Sequence, residues 1–506
     1  MRISISTVAA AAGFTFALQG CVFVGVNYHS PEVGTPDAWA ASVSNHIGKG
    51  SDDLQTWWKG FKDPTLNKLI DRTRDANLTL RVAAQNIAEA RALRGIARSQ
   101  LFPTVVADGE LLRNRASESL LAPIPENPST LYSAGFDAGW EIDIFGGIRR
   151  GIEAADAGVE ASMETYRDLL VILYAETALN YIEYRTLENR IAIAKQNISA
   201  QEETVRLTEE RLEGELVPKI DVTQARTNLQ VSRALLPILR TQLAFAKNRI
   251  AALTGGYPES VEKLLARNRP IPVPRKGYSA GLPADLIRSR PDVRAAERRL
   301  AAQTALIGVA EADLYPRFSL LGDFQLQTID SSTFFDPASR AYSFGPSFRW
   351  QIFSGGRIRA SIDAQEARTE QALAEYERSV LAAVEEVETS MAAIANGWDL
   401  VATLDLGVES AVETTSLVKG NYKEGLIDFQ RVLDAERVRF NTEDAASVAR
   451  GQIAKSYVAL YKSLGGGSEV KVIPIAEPKT QANSLLSRIG KRKPKVDTES
   501  APEQAE

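Results

Sequence analysis

The chain repeats itself in a fixed order. Leu101-Phe102-Pro103 returns as Leu314-Tyr315-Pro316, each closing an Ala-rich helical stretch and opening an extended one. Ile144-Phe145-Gly146-Gly147 returns as Ile352-Phe353-Ser354-Gly355-Gly356, each closing a strand and opening a very long helix. Glu213-Gly214 with Gln224-Ala225-Arg226 returns as Glu424-Gly425 with Asp434-Ala435-Glu436-Arg437, each at a sharp reversal between two long helices. Self-similarity of this length constrains the architecture more than any single motif, because both copies must build one supersecondary unit. That unit reads helix, strand, strand, long helix, turn, long helix. The halves run over 62–256 and 283–466, and a connector over 257–282 with Pro258, Pro270, Pro272 and Pro274 joins them.

Four segments have the two-residue alternation of a strand with one apolar face. In Leu131 to Phe145 the even positions Tyr132, Ala134, Phe136, Ala138, Trp140, Ile142 and Ile144 oppose Ser133, Gly135, Asp137, Gly139, Glu141 and Asp143. Pro316 to Ile329 sets Phe318, Leu320, Phe324 and Leu326 against Ser319, Asp323, Gln325 and Gln327. Ala341 to Phe353 sets Tyr342, Phe344, Phe348, Trp350 and Ile352 against Ser343, Ser347, Arg349 and Gln351, and Pro103 to Arg113 alternates more weakly. A soluble antiparallel sheet alternates too, and only the aromatic enrichment tilts these faces toward lipid.

Between the strands the chain reads as helix. Ile148 to Glu213 contains no proline and would run about 100 Å if continuous, and Arg357 to Glu424 behaves alike. In the latter, Tyr376, Val380, Val384, Val387, Met391, Ile394, Trp398 and Val401 follow one another in steps of 4 and 3, near the coiled-coil period. That stripe is core packing, holding helices lengthwise together. Pro237 is expected to kink or interrupt the helix that follows Lys219. Gly214 and Gly425 are expected to supply the left-handed residue at the two reversals.

After the N-terminal leader no run of apolar residues reaches the roughly 18 that a spanning helix needs, so any membrane-crossing part must be β. Four strands cannot close a barrel, and open edges in hydrocarbon cost several kcal/mol per unpaired group. Neighbouring copies must therefore pair those edges. Two copies would give about eight strands with a filled interior, whereas three would give about twelve and leave a lumen. Counting favours three or more copies for a channel and does not by itself fix three.

Composition removes other classes. A formal net charge of -5 leaves no basic surplus for a nucleic-acid backbone. Two histidines and one cysteine, at His29, His46 and Cys21, cannot assemble a usual zinc, haem or iron-sulfur site, so no metal and no cofactor is expected. No clustered nucleophile or acid-base pair is visible, so no catalytic residue is assigned. Abundant glutamates on the helices are explained by solvated faces and intrahelical pairs.

The N-terminus sets the compartment. Arg2, the apolar Val8 to Leu18 and Leu18-Gln19-Gly20-Cys21 form a secretory signal over 1–20 that ends in a lipobox. Cys21 would carry the lipid and tether the mature chain to a leaflet. Val22 and Phe23 follow rather than an aspartate, which favours the outer membrane. Residues 21–61 read as an extended lipidated segment, and 467–506, beginning in Gly465-Gly466-Gly467, as a disordered tail with the basic run Lys491-Arg492-Lys493-Pro494-Lys495.

Asn27-Tyr28, Pro31, Pro36, Trp39, Trp57-Trp58, Phe61, Asp63-Pro64, Leu66, Leu69-Ile70, Asn77 and Ala90-Arg91-Ala92 resemble the start of a mature OprM/NodT-type lipoprotein of the TolC-like outer-membrane efflux family. Leu282-Pro283-Ala284-Asp285-Leu286-Ile287 with Arg290-Pro291-Asp292-Val293-Arg294-Ala295-Ala296-Glu297 resembles that branch's signature, and the resemblance covers nearly the whole mature chain. It implies a homotrimer: a twelve-stranded β-barrel, four strands per protomer, continuing into a long α-helical periplasmic tunnel. It implies a passive exit duct for small molecules, joined through a periplasmic adaptor protein to an inner-membrane pump of the resistance-nodulation-division type.

By the same resemblance Asn421-Tyr422, Gly425 and Val432-Leu433-Asp434-Ala435 match the gate-forming turn, with Asp434 projecting into the narrowing tunnel and Tyr422 tying helices at the tip. Gln430 stands where the branch often carries an apolar gate residue, and Arg431 where TolC carries a second aspartate, which makes the constriction's composition distinctive. The tip turns meet the adaptor in the family, so Gly214, Leu216, Val217 and Gly425 are the expected contacts, with Pro218 a departure from the usual small polar residue. Loops over 116–130 and 330–340 would face outside the cell. The rival reading is a non-conducting coiled-coil spacer anchored at the outer membrane, with the four alternating segments forming a soluble sheet.

Overall fold

The computed structural model describes residues 23–32, 34, 39, 54–115, 117, 119, 128–274 and 287–469. The signal, Cys21, most of the 116–130 loop, residues 275–286 and the chain beyond 469 lie outside them. After a 3-10 helix at Leu54–Phe61, the first half builds α1 (Pro64–Ala76), α2 (Leu78–Ser99), β1 (Thr104–Asn114), β2 (Ser129–Ile142), α3 (Gly147–Glu213) and α4 (Lys219–Leu253). The second builds α5 (Pro291–Ala312), β3 (Arg317–Thr328), β4 (Arg340–Arg349), α6 (Arg357–Lys423) and α7 (Phe429–Ser463).

The two copies match in length: α3 and α6 each have 67 residues, α4 and α7 each 35, α2 and α5 each 22. Local chemistry fixes the ends. Asp63 caps α1 by accepting from the Thr65 and Leu66 amides at 2.7 and 3.3 Å, and Asn77 caps α2 in the same way. Gly146 and Gly356 enter the long helices with φ of +84° and +86°, a conformation that disfavours any residue with a Cβ. The resulting rods are each about 100 Å long.

The halves interlock rather than stack. α3 packs along α4, α5 and α7, and α6 packs along α5 and α7. On α6 the predicted stripe is the packed face: Tyr376, Val380, Val387, Met391, Ile394 and Val401 are buried. The α3–α7 approach is close, since a Cβ at Gly451 would sit 2.3 Å from Thr186 Oγ1. An aromatic knot fastens the N-terminal 3-10 helix to it, with Trp57 stacked on Tyr461 at 5.0 Å and Trp58 edge-on to Tyr174 at 5.1 Å.

The four strands form one antiparallel meander in the order β1-β2-β3-β4. Register places Leu111 beside Tyr132, Ala107 beside Phe136, Phe136 beside Phe324 and Phe324 beside Tyr342 on one face, and Asp137 beside Asp323 and Ser343 on the other. The aromatic face is not packed against this chain: Phe344 is 83% exposed and Tyr342 71%. A soluble sheet would bury that face, so the geometry favours lipid over core. The indoles of Trp140 and Trp350 donate to the carbonyls of Leu101 and Leu314 at 2.9 and 3.0 Å, tying each hairpin to the end of the helix before it.

Pro237 does not interrupt its helix: α4 runs through it, the residue is exposed, so the Arg233 carbonyl it leaves without an amide partner can reach water, and Thr241 Oγ1 donates to the Pro237 carbonyl at 2.9 Å. Gly465-Gly466-Gly467 is packed rather than loose, all three residues being buried, and the rest of the expected tail, beyond 469, lies outside the described residues. A Cβ at Gly466 would lie 2.8 Å from Trp57 Cδ1, and one at Gly467 2.8 Å from Tyr174 Cδ2. The glycines are there because the chain must pass through the aromatic knot.

Candidate channel surfaces: barrel lumen and helical tip

The polar face of the sheet carries five carboxylates, Asp108, Glu110, Asp137, Glu141 and Asp323, against two guanidiniums, Arg317 and Arg349. Register sets Asp137 directly across from Asp323, whose carboxylate also accepts from the Ser343 hydroxyl. Arg317 sits at the helix end of the strands, bonded to Asp313 at 2.5 Å and 4.0 Å from Glu141. Facing inward in a barrel, this surface is a wet and predominantly acidic wall. Sequence reading found the alternation, but the acidic band needs the register.

At the other end of the molecule both reversals are Schellman turns. The Leu216 and Glu215 amides donate to the Arg211 and Leu212 carbonyls at 2.8 and 3.0 Å, and those of Leu426 and Gly425 to the Asn421 and Tyr422 carbonyls at 2.9 and 3.0 Å. The left-handed residue is Gly425 (φ +76°) in the second turn but Glu215 (φ +58°) in the first, whereas Gly214 has φ -77°. The expectation for Gly214 is thus corrected. The two Glu-Gly pairs look equivalent but lie one residue out of structural register, so Gly214 matches Glu424. A non-glycine residue in this region costs about 1–2 kcal/mol. Glu215→Gly is therefore expected to stabilise the first turn by about 1 kcal/mol and Gly425→Ala to weaken the second comparably, read as amide protection at Leu216 and Leu426.

Of the expected adaptor contacts, Leu216 is 69% exposed and Val217 half-buried against the tip core. Leu426 takes the position of Leu216 in the second turn and is 68% exposed, a residue the sequence reading passed over. Gln430, Arg431 and Asp434 lie on the solvent side of the first turns of α7, and the Arg431 amide donates to Asp428, the N-cap, at 3.1 Å. Asp434 carries its own counter-ion, since Arg437 bonds it at 2.8 Å.

Tyr422 is buried with Ala225, Phe429, Val432 and Leu433, its ring 5.4 Å from that of Phe429. Burial pushes its hydroxyl pKa up, and the hydroxyl has no hydrogen-bond partner among the described residues. Across from it Arg211, from α3, lays its guanidinium 4.7 Å from the ring centroid and donates to the Tyr422 carbonyl. A second tie lies further along: Glu436, buried on α7, accepts from Thr204 of α3 and from Lys419 of α6, each at 2.6 Å. Arg211 and this tie join the α3–α4 hairpin to the α6–α7 hairpin. Neither could be read from sequence, because the partners are more than 200 positions apart for Arg211 and Thr204.

The family-like motifs also meet in space. Tyr28 donates to Glu297 of the Arg290–Glu297 motif at 3.1 Å. Buried Arg150 donates to the Val24 and Gly25 carbonyls, both at 3.0 Å, and to Asn27 Oδ1 at 2.8 Å, while the Val24 amide donates to the Phe145 carbonyl at 3.2 Å. The N-terminal segment is thereby pinned where strands pass into helices. Among the described residues no helix is long and apolar enough to cross a membrane, and no group of ligating side chains could hold a metal.

A sheet with a lipid-compatible exterior, an acidic interior and paired helical rods ending in reversals is the protomer of a TolC-like channel. The family model for outer membrane efflux proteins matches residues 69–256 and 282–466, and the chain belongs to that family. It is 30% identical to nodulation protein T of Rhizobium leguminosarum bv. trifolii over 90% of this chain and 96% of that one. It is 31% identical to the solvent efflux pump outer membrane protein SrpC of Pseudomonas putida, over 81% and 87%. Among solved structures, the outer-membrane channel OprN superposes with a TM-score of 0.80 at 36% identity, covering 88% of this chain and 99% of that one. The open state of the MtrE outer membrane channel of Neisseria gonorrhoeae gives 0.74 at 26% identity, covering 89% and all of that chain. The protein is the outer-membrane channel component of a tripartite efflux system, spanning the outer membrane and extending into the periplasm. Channels of this family are trimers that work with an adaptor and a pump.

Proposed function

We propose that three copies of this chain close a barrel of about twelve strands by pairing β1 of one protomer with β4 of the next, and that the helical tip below it is a gate. The observation that supports this most is the sheet itself: one face apolar and exposed, one acidic, and both outer strands with an edge unpaired among the described residues. The duct acts without catalysis: its residues bind, filter and gate, and energy comes from a pump of the resistance-nodulation-division type reached through a periplasmic adaptor. Gly214, Leu216, Val217 and Gly425, with Leu426, form the adaptor-facing turns. Gln430, Arg431 and Asp434 line the constriction, and Tyr422 holds the gating hairpin to its neighbour. Cys21 lies two positions before Phe23, itself docked near the strand–helix junction, so a lipid on it would enter the adjoining leaflet.

Reconstitution in planar bilayers tests this reading. The purified trimer is expected to conduct and to prefer cations, because acidic groups outnumber basic ones on the lumenal wall. The double variant Asp137→Asn, Asp323→Asn should move the reversal potential toward zero in a salt gradient. A protein that inserts without passing current would make the spacer reading the correct one.

A further inference from the structure

The loop joining β3 to β4 lies at the end of the sheet away from the helices, and with those helices in the periplasm it stands at the outer mouth. It is braced from within. The Asp330 carboxylate accepts from the Ser332 amide and hydroxyl at 2.9 and 2.8 Å, opening a 3-10 turn at Ser331–Thr333. The Thr333 carbonyl then accepts from the Asp336 amide at 2.9 Å and from the buried Ser339 hydroxyl at 2.8 Å, and the Thr333 hydroxyl meets that of Thr328 on β3 at 2.8 Å. This frame carries Phe334 and Phe335, edge to face at 5.1 Å, and Phe335 is 81% exposed. Burying such a ring is worth about 1.5–3 kcal/mol, which a braced loop that leaves one in the open forgoes.

The side of the sheet on which the rings lie decides what they can do. Together with Ser331 they line a hollow of about 250 Å³ with Glu110, Tyr132 and Ser133. Glu110 and Ser133 are cross-strand partners on the carboxylate face, whereas Leu111, the partner of Tyr132 on the aromatic face, stays 68% exposed. The loop therefore leans over the polar side of the sheet. We propose, on the footing of the trimeric duct, that Phe334 and Phe335 of each copy form an aromatic collar at the outer mouth, which limits entry of bulky hydrophilic molecules from outside and leaves small or apolar ones passage. Twelve strands about 4.8 Å apart and tilted by about 40° put the wall about 12 Å from the axis, so inward rings from each copy narrow the mouth without sealing it. Their carbon surface offers a large hydrated solute nothing in exchange for its shell of water, whereas an apolar one gains by touching it.

Thiol labelling of whole cells from outside tests the collar through Asp137→Cys, on the carboxylate face and further from the loop along β2, with the unmodified protein as the background for Cys21. This cysteine is expected to react readily with a small methanethiosulfonate and slowly with a maleimide carried on a bulky polyethylene glycol. Adding Phe334→Ala and Phe335→Ala should raise the bulky reagent's rate roughly tenfold or more, at least about 1.4 kcal/mol of barrier, and leave the small reagent's rate unchanged. Phe335→Trp, which enlarges the ring, should slow the bulky reagent further, so the sign can be read even if the double variant disorders the loop. Equal rates for the bulky reagent in all three proteins, with normal reaction of the small one, overturn the collar alone. Quenching of the introduced indole by brominated lipid in the reconstituted protein overturns it too, since the pair would then sit in the leaflet. Should the small reagent fail to reach Asp137→Cys in every variant, the lumen is absent and the duct reading falls with the collar.

Discussion

Arg211→Ala is expected to leave the trimer assembled while raising its open probability strongly. The guanidinium is a polar contact that crosses from the first helical hairpin to the second at the tip, through the Tyr422 carbonyl and ring. A hydrogen bond from a charged donor contributes about 1.5–3 kcal/mol, and a partly desolvated cation over a ring adds about 1. Water can take up part of that loss, leaving about 2 kcal/mol per hairpin, which is roughly a thirty-fold shift in the ratio of released to held forms. Single-channel recording should show long open bursts, and cells carrying the variant should admit large hydrophilic antibiotics. Arg206 supplies the control. It lies on the same helix but is more than half exposed and, among the described residues, pairs with Glu203 and Glu210 of its own helix, so its removal should change little. Indistinguishable records for the Arg211 and Arg206 variants would remove the tie from the account of gating.

A single methyl group at Gly135 should have a larger effect on assembly. Gly135 sits in β2 where it pairs with β3, the seam joining the two halves, and an added Cβ would fall 2.4 Å from the Phe324 carbonyl oxygen and 2.9 Å from Gln325 Cα. Backbone atoms cannot swing aside as a side chain can, so the strands must part, and each unpaired peptide group left in lipid costs several kcal/mol. Gly135→Ala should abolish the trimer band on native electrophoresis of the detergent-solubilised protein. Gly139→Ala, whose Cβ would meet Leu321 and Thr104 at ordinary distances of 3.7 and 3.9 Å, should preserve it. Retention of the band by both variants would show that the seam yields.

Periodicity carried most of the architecture. Alternation gave the strands, the 3- and 4-residue steps gave the packed face of α6, and the glycine pairs gave the starts of α3 and α6, because each is a local demand that a short stretch answers alone. What escaped depends on partners far along the chain. Arg150, Arg185 and Arg211 read as three ordinary charged helix residues, yet Arg185 is wholly buried, bonded to Tyr181 and Glu188 at 3.0 and 2.5 Å. The buried Glu436 likewise looked like one more solvated glutamate. The Gly214 expectation failed for a different reason: identical dipeptides invited an alignment one residue away from the one the hydrogen bonds enforce. Gly465-Gly466-Gly467 failed because a glycine run signals either freedom or crowding, and only the rings around it tell which.

The matched lengths of α3 with α6 and of α4 with α7 make every protomer a pair of near-copies that differ at their extremities. One hairpin turns on a strained glutamate and carries Gln224, whereas the other turns on a relaxed glycine and carries Asp434 with its arginine. In the proposed trimer this yields six teeth of alternating character. Any partner that grips them with equivalent fingers would find two sorts of socket.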